Sequence, residues 1–398
     1  MSLPLFPVTT VGSWPRPQEL LRAFSLKHRG ELGRREFDHV ADRAVIASLR
    51  AQEQAGADLV TDGEQRRDNF YSFVADKLDG VQMMTLSEML DVVEDKQGFA
   101  RLLATLDVPA FSIRNPTCVG RIRRREPLAL EDFEFLSRHT DRPIKVTLPG
   151  PYLLTRAMWV KEVSRATYPT KEDLGEDVVR LLCEEIVDLK QAGVAFIQLD
   201  EPVLTELVFT QGNTRTFMCA ALAARKDPAE ELAFAVSLIN RVVEPITNGA
   251  GSTGPRPIIG LHVCRGNWSQ DETTLLRGSY HPLVPYFRQM NVDQLVLEYA
   301  TPRAGEFVPV DGKSIGLGVV NPRVPEVESA QQIVTRVDEV LAHVPARQVF
   351  LNPDCGFATF TSRAMNSADV AAVKIAAMAE AARALRRRSS PFQTAAVP

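Results

Sequence analysis

The chain has 398 residues, of which 45% are hydrophobic and 24% charged, a composition typical of a globular enzyme. Its formal net charge of -4 excludes a general electrostatic attraction to nucleic acid or to an anionic membrane surface, so neither is an expected partner. With no apolar run near the ~20 residues that span a bilayer, no signal-peptide pattern and an odd number of scattered cysteines, we expect a cytoplasmic protein with free thiols.

Short β-rich apolar segments alternate with helical patterns along the chain. The predicted strands are 8–13, 57–64, 144–150, 195–202, 258–264, 294–299, 314–320 and 348–355. Helices are predicted over 170–192, where Thr170 and Asp173 have capping-box spacing, and over 329–344 and 367–388. Eight strands separated by helices are typical of an α/β fold of the TIM (β/α)₈ barrel type.

One connection, 65–143, is much longer than the others. It contains a helical pattern near 86–105 and a hairpin pattern near 108–125. Since no Gly/Ser-rich or Pro-rich linker sets it apart, we interpret it as an insertion after the second strand of a single catalytic barrel domain spanning 1–388. A second small domain is the alternative, and 389–398 is expected to be a flexible tail.

Reactive side chains are predicted at the ends of several strands, where (β/α)₈ barrels build their active sites. His262 and Cys264 are two positions apart and would point to one face of a strand, although a His or Cys beside an apolar strand is often a core residue. Together with Glu298 and Cys355 they form a ligand set suited to zinc, and their spacing is not that of a zinc finger. We therefore predict a catalytic zinc site on these four residues.

The remaining cysteines lack this placement. Cys183 lies within an amphipathic helical pattern and is expected in the core, while Cys118 and Cys219 fall in regions that look like loops.

Six motifs, in chain order, carry a resemblance to a known family. They are VGSWPR (11–16), DGEQRRDN (62–69), QLDEP (198–202), LHVCRGN (261–267), LVLEYA (295–300) and NPDCGFAT (352–359). The chain resembles the catalytic domain of the cobalamin-independent methionine synthase family, the zinc-dependent thiol methyltransferases. The resemblance implies a single TIM barrel, zinc on His262, Cys264, Glu298 and Cys355, and a role in methionine biosynthesis as a 5-methyltetrahydropteroyltriglutamate-homocysteine methyltransferase.

The resemblance also implies how homocysteine is bound. Glu64 and Asp200, the expected catalytic carboxylates, suit the α-ammonium group, and the backbone and hydroxyl of Gly12 and Ser13 suit the α-carboxylate. In a competing interpretation Glu64 and Asp200 are strand-end caps or ion-pair partners of Arg66 and Arg67.

The methyl donor is less well defined by the sequence. Folate-using members of the family are expected to carry an NWS-like segment after the third strand and a His after the seventh, where this chain has TLPGPYLLT (147–155) and GVVNPRVPEVES (318–329). Tyr152, Asn321 and Asp354 are the remaining candidates for an acid that protonates the leaving amine.

Methyltetrahydrofolate is the first-choice donor, and three further interpretations stay open. A corrinoid protein would be a partner if the chain were a methyl-corrinoid-dependent methionine synthase. The chain would instead act on a different thiol if it were an alkyltransferase similar to epoxyalkane:coenzyme M transferase. The third interpretation is a zinc- or thiol-binding protein without turnover.

Overall fold

A parallel β-sheet and a separate β-hairpin organise the computed structural model, which describes residues 3–92, 96–97, 114–209, 227–247, 255–267, 269, 275–361 and 364–389. The hairpin consists of β1 (Leu78–Thr85) and β2 (Arg114–Arg124). The sheet contains β3 (Lys145–Pro149), β4 (Phe196–Asp200), β5 (Ile258–Val263), β6 (Gln294–Leu297), β7 (Ser314–Val320) and β8 (Val349–Pro353), side by side in chain order.

Helices connect the strands. The α-helices are Gln18–His28, Arg34–Ala55, Leu86–Val92, Leu130–Ser137, Pro151–Met158, Lys161–Ser164, Lys171–Gln191, Val203–Phe209, Pro228–Thr247, Val284–Phe287, Ala330–Leu341 and Ala368–Arg388. Short 3₁₀ helices cover Ser72–Asp76, His281–Leu283, Pro302–Ala304 and Ala346–Gln348. Among the helices of the described residues, none has the length and apolar character needed to cross a membrane.

Side-chain caps fix the starts of three helices that the sequence predicts. The hydroxyl of Thr170 accepts a hydrogen bond from the backbone of Asp173, and Ser329 and Ser367 cap the two helices that flank β8 in the same way. Each cap satisfies a backbone N–H that has no partner within the helix. The predicted helices 170–192, 329–344 and 367–388 are therefore confirmed to within a few residues.

The sheet strands are buried because both faces are covered. Every residue of β3, β4 and β8 is buried, including the polar Lys145, Gln198 and Asn352. Each neighbouring pair is parallel, so all six strands end at the same edge. The α/β class is confirmed, with six of the predicted strands paired in one parallel sheet.

The first two predicted strands, 8–13 and 57–64, are not extended strands in the structure. Single parallel bridges join Val8 to Leu351 of β8, Thr9 to Leu59, and Val60 to Ile144 just before β3. Side chains take over backbone donors that a longer ladder would use: Val8 donates to Asp58 Oδ2 at 2.9 Å and Thr61 to Gln52 Oε1 at 3.0 Å. The six named strands by themselves form an open sheet, so the predicted closed barrel is not confirmed by the strand pairing.

The long insertion differs from its prediction in the position of the hairpin. β1 begins at Leu78, so the two strands are separated by a connection that includes the helix Leu86–Val92. Much of the predicted helical stretch 86–105 lies outside the described residues. Leu78 and Ile122 of the hairpin belong to the same hydrophobic cluster as the sheet and its helices, so the insertion shares the main core.

The cysteines outside the predicted metal site have different surroundings. Cys118, expected in a loop, is a buried residue of β2. Cys183 lies in the helix Lys171–Gln191, packed at the edge of the core. Cys219 and the predicted tail from 390 onward lie outside the described residues.

Gly260 of β5 allows a close approach between strands. A Cβ atom at this position would lie 2.5 Å from the ring of Phe196 on β4, which is fully buried. We expect Gly260→Ala to lower the free energy of unfolding by about 1–3 kcal/mol, since the ring and backbone must shift to admit the methyl group. Urea denaturation would measure the change.

Gly120→Ala is the matched control for this prediction. A Cβ atom at Gly120 would meet its nearest neighbour, the Cα of Gly80, at an ordinary 3.8 Å. Equal stability changes in the two variants would contradict the proposed steric cause.

Candidate active site and metal centre

A cavity opens where the parallel strands end. Its volume is about 40 Å³. Its lining includes most of the residues that the sequence predicts for the site, namely Ser13, Glu64, Asp200, His262, Cys264 and Cys355. Gly12 and Glu298, which the sequence also predicts, do not line it. The strand ends therefore bring together residues from distant parts of the chain.

Three of the predicted metal ligands form a buried cluster. The donor atoms of His262, Cys264 and Cys355 all lie within 4.8 Å of one another. His262 and Cys264 come from β5 and the residue that follows it, and Cys355 comes from the turn after β8. Within the described residues, Nε2 of His262 is buried without a hydrogen-bond partner. A buried polar atom of this kind normally has a partner, so the cluster fits a metal ion.

Asp200 orients the imidazole of His262. Nδ1 of His262 lies 2.9 Å from Asp200 Oδ1, and the amide of Gln198 donates to the same oxygen at 2.8 Å. Nδ1 is thereby used for the carboxylate, and Nε2 is left for a metal. A carboxylate on the second ring nitrogen is the usual environment of a metal-binding histidine.

The ionisation of the three side chains is strongly coupled to their contacts. A hydrogen bond from Cys355 lowers the pKa of Cys264, whereas the pKa of Cys355 is raised well above its usual value by that hydrogen bond and by burial. Burial lowers the pKa of His262, but the hydrogen bond to Asp200 and the nearby Cys264 raise it to about 9 overall. Metal ligands bind as thiolates and neutral imidazole, so metal binding would release protons here.

Glu298, the fourth predicted ligand, lies beside this cluster but is held by different groups. Its Oε1 accepts hydrogen bonds from the backbone of Arg265 at 2.9 Å and from the Asn267 amide, and its Oε2 pairs with Arg303 at 2.8 Å. Its carboxylate oxygens do not join the three donors that lie within 4.8 Å of one another. A role of Glu298 as a metal ligand stays a prediction.

Glu64 presents a buried carboxylate to the cavity. Its backbone has a φ of 54°, so it sits in the left-handed region in the turn after Gly63. The hydroxyl of Thr147 donates to Oε1 at 3.0 Å, and Oε2 has no hydrogen-bond partner among the described residues. Burial raises the pKa of Glu64 to about 7, although Arg67 acts in the opposite direction.

Arg67 acts on Glu64 electrostatically, but among the described residues neither Arg66 nor Arg67 forms a direct ion pair with Glu64 or Asp200. Arg66 pairs with Asp42 and Asp132, and Arg67 donates to the backbone and hydroxyl of Thr147.

Gly12 and Ser13 fit closely against their neighbours. A Cβ atom at Gly12 would lie 2.3 Å from Oε1 of Glu64, so glycine permits this placement of the carboxylate. The hydroxyl of Ser13 accepts a hydrogen bond from the backbone of Ala358 at 3.2 Å and would lie 2.1 Å from a Cβ atom at Gly356. These contacts tie the start of the chain to the turn that carries Cys355.

The three residues considered as a general acid lie outside the lining of the cavity. Tyr152 is fully buried and its hydroxyl donates to Glu231 at 2.7 Å, with burial raising its pKa. Asn321 accepts a hydrogen bond from the backbone of Arg323. Asp354, whose pKa is raised to about 7 by burial and by Glu298, accepts from the backbone of Tyr299.

Sequence reasoning missed several residues that shape the site. Gln198 lies two positions before Asp200 on the same strand face, a spacing that the sequence displays. Asn267 lies at the end of the motif LHVCRGN. Arg303 follows the sixth strand in a segment with no recognisable pattern, so only the structure reveals it.

The fold and the site define an α/β protein that carries a buried cluster of one imidazole and two thiols at the ends of its parallel strands. A family model described as the catalytic domain of cobalamin-independent synthase matches residues 6–227 and 259–383. The chain therefore belongs to this family, as the sequence motifs predicted.

Known relatives agree with this assignment. A methionine synthase of Pyrococcus abyssi is 28% identical over 97% of this chain and 95% of its own. A 5-methyltetrahydropteroyltriglutamate-homocysteine methyltransferase of Thermotoga sp. strain RQ2 is 26% identical over 90% of this chain but only 42% of its own length.

A solved structure gives the corresponding result for the fold. The B12-independent methionine synthase of Shewanella sp. W3-18-1, in complex with selenomethionine, has a TM-score of 0.69 at 22% identity, over 96% of this chain and 98% of that chain. At this identity the likeness shows the fold alone.

The raised pKa of Glu64 predicts a pH-dependent stability. With a folded pKa of about 7 against an ordinary value of 4.5, the unfolded chain ionises first as pH rises. The contribution of protonated Glu64 to the free energy of unfolding is therefore fully present below about pH 4.5. It falls by roughly 3 kcal/mol as the pH rises to about 7. Glu64→Gln has no such proton, so the stability of the unsubstituted protein relative to this variant should fall over that range.

Urea denaturation of both metal-free proteins at several pH values would measure this difference. A difference that stays constant from about pH 4.5 to about pH 8 would show that Glu64 ionises normally in the folded protein.

Proposed function

We propose that this protein transfers a methyl group to the thiol of homocysteine and forms methionine, with 5-methyltetrahydrofolate, in its polyglutamate form, as the first-choice donor. One observation carries the proposal. The soft donors of His262, Cys264 and Cys355 and the carboxylates of Glu64 and Asp200 line the same cavity. Such a site can hold both the sulfur and the ammonium group of a thiol amino acid. The names of the relatives and the family support this activity.

Zinc is the metal that we propose for the cluster. Imidazole nitrogen and thiolate sulfur are its preferred ligands, and the orphaned Nε2 of His262 supplies one of them. Glu298 is the proposed fourth ligand, and the hydrogen bonds that its two carboxylate oxygens make in the structure would compete with the metal. When bound, zinc supplies the positive charge that keeps a coordinated alkyl thiol deprotonated at neutral pH.

The carboxylates position the amino-acid part of the substrate. The hydrogen bonds from Gln198 and His262 both use Oδ1 of Asp200, so we assign its Oδ2 and the orphaned Oε2 of Glu64 to the α-ammonium group. The positive charge would lower the pKa of Glu64 and make it an ionised partner. Ser13 and Gly12 are proposed for the α-carboxylate. In the transfer the methyl–nitrogen bond of the donor breaks, a methyl–sulfur bond forms, and the donor nitrogen takes up a proton.

We further propose that residues 1–388 form one catalytic (β/α)₈ barrel. The bridges of Val8 to β8, of Thr9 to Leu59, and of Val60 to Ile144 lie in the order needed to close the six-stranded sheet with two more short strands. The shared hydrophobic core supports including the insertion 65–143 in this domain.

The comparisons favour a folate donor over a corrinoid one. The family is described as cobalamin-independent, and the Thermotoga relative is named for a methyltetrahydropteroyl donor. A corrinoid protein as partner is therefore not proposed. The cytoplasmic location stays a prediction.

Cys355→Ser should remove both metal and activity. We expect zinc binding to weaken at least about tenfold, because a hydroxyl replaces a thiolate, and methionine formation to fall roughly a hundredfold or more. Metal analysis after dialysis, and methionine formation from homocysteine with methyltetrahydrofolate or methylcobalamin, would measure these changes.

Cys183→Ser is the matched control, since Cys183 lies in the helix Lys171–Gln191 away from the cavity lining. Zinc retained in Cys355→Ser as fully as in this control would refute the proposed ligand. Methionine formation from methylcobalamin but not from methyltetrahydrofolate would overturn the donor assignment.

Glu64→Gln should discriminate between thiols with and without an amine. We expect its affinity for homocysteine to fall about ten- to a hundredfold, the value of a charge-assisted hydrogen bond of ~1.5–3 kcal/mol. Its affinity for 4-mercaptobutyrate, which lacks the ammonium group, should change by less than about threefold. Calorimetric titration of the zinc-loaded protein would measure both.

Asp200→Asn is the comparison for this prediction. Because Asp200 also orients His262, the Asn variant should weaken binding of both thiols. An equal loss for both thiols in Glu64→Gln would place Glu64 outside the ammonium site.

A further inference from the structure

Glu298 is one of the most completely enclosed carboxylates of the site. Its side chain is 1% exposed, as is that of Arg303, and the two are paired at 2.8 Å. A buried ion pair is very costly to break from one side, because the remaining charge has neither water nor a partner. The position of this carboxylate therefore depends on what Arg303 allows.

Arg303 is itself anchored to the turn that follows Cys264. Its guanidinium donates to the carbonyl of Gly266 at 3.2 Å and to Asn267 Oδ1 at 3.1 Å, while the amide of Asn267 donates to Glu298. Gly266 and Asn267 both line the cavity. Glu298, Arg303 and Asn267 thus form a closed hydrogen-bonded triangle against the wall of the site.

Arg265 is a second cation near Glu298, but its guanidinium donates hydrogen bonds to backbone carbonyls, including that of Glu298, and not to the Glu298 carboxylate. Its guanidinium stacks 3.7 Å from the centroid of the Tyr280 ring and donates to the carbonyls of Gly278 and Ala304. Its distance to Glu298 Oε2 is 3.9 Å, longer than the Arg303 contact. Arg303 is therefore the principal countercharge.

We propose that Arg303, with Asn267, is a positioning residue that competes with the metal for the Glu298 carboxylate and thereby sets how readily a substrate thiol replaces Glu298 as a ligand. This inference rests on the proposed function. The three donors of the cluster are soft and close together, whereas Glu298 is a hard ligand for which the metal and the protein donors, Arg303 above all, compete. Arg303 stabilises the Glu298 carboxylate when it is not bound to the metal, and so favours its replacement by the thiol.

Removing Arg303 should shift this balance toward the metal. In Arg303→Met the buried carboxylate loses its principal countercharge and keeps only the more distant Arg265, so a bound metal competes for it more strongly. We expect zinc affinity without thiol to be retained or increased, homocysteine to bind at least about tenfold more weakly, and Arg303→Lys to restore much of the difference. The visible spectrum of the cobalt-substituted protein without thiol should change in Arg303→Met, since it reports the ligand set.

Arg336→Met is the matched control. Arg336 donates to the carbonyl of Tyr299, the residue after Glu298, and none of its described contacts is with the Glu298 carboxylate. This variant should keep the cobalt spectrum and the homocysteine affinity of the unsubstituted protein. Losses of equal size in Arg336→Met and Arg303→Met would overturn the proposal, and so would an unchanged spectrum and thiol affinity in Arg303→Met.

A double variant keeps the test decisive if Arg303→Met folds poorly. Glu298→Gln combined with Arg303→Met leaves no carboxylate at position 298 that would need a countercharge. If Arg303 acts through Glu298, this double variant should bind homocysteine as Glu298→Gln does, and an additional loss of about tenfold would contradict the inference. Should the unsubstituted protein fail to bind homocysteine, the proposed function fails, while the cobalt spectrum without thiol still tests Arg303.

Discussion

The hydrogen bond between Asp200 and His262 is the contact on which the arrangement of the site depends. The two residues are directly paired across the parallel strands β4 and β5, so the sheet register itself brings the carboxylate to the ring. Gln198, on the same strand as Asp200, fixes the accepting oxygen, and its Oε1 in turn accepts from the buried Lys145. A slip of one residue between β4 and β5 would turn one partner to the opposite face and leave Nε2 without a defined direction.

The buried carboxylates around this contact are stabilised in three different ways. Asp200 is held by neutral donors and the imidazole, Glu298 by an ion pair with Arg303, and Glu64 by retaining its proton near neutral pH. Burial makes an isolated carboxylate costly, so each solution follows from the local partners. Of these three described residues, only Glu64 both lines the cavity and has a buried oxygen without a hydrogen-bond partner. This combination suits Glu64 to bind a substrate cation.

The sequence predicts the ends of the strands better than their extent. Apolar runs followed by polar residues locate the strand ends that carry Asp200, His262 and Cys355. This works because the change from buried to reactive residues occurs within a few positions of the sequence. The segments near Val8 and Val60 are shorter in the structure than the sequence predicts. Side-chain acceptors replace part of their ladder of backbone hydrogen bonds, and no periodic pattern in the sequence signals such a replacement. The six motifs predicted the family, which the family model confirms.

Residues that act on neighbouring side chains are harder to predict. Arg303 reaches Glu298 through a turn whose path depends on tertiary packing, and no spacing announces it. The contact between Arg303 and Glu298 also distinguishes Glu298 from His262, although the sequence predicts both as metal ligands. Within the described residues, His262 is oriented by a carboxylate that leaves its Nε2 free of protein partners, whereas both oxygens of Glu298 are already engaged. If one ligand yields to a substrate thiol, Glu298 is therefore the one whose release the surrounding protein stabilises.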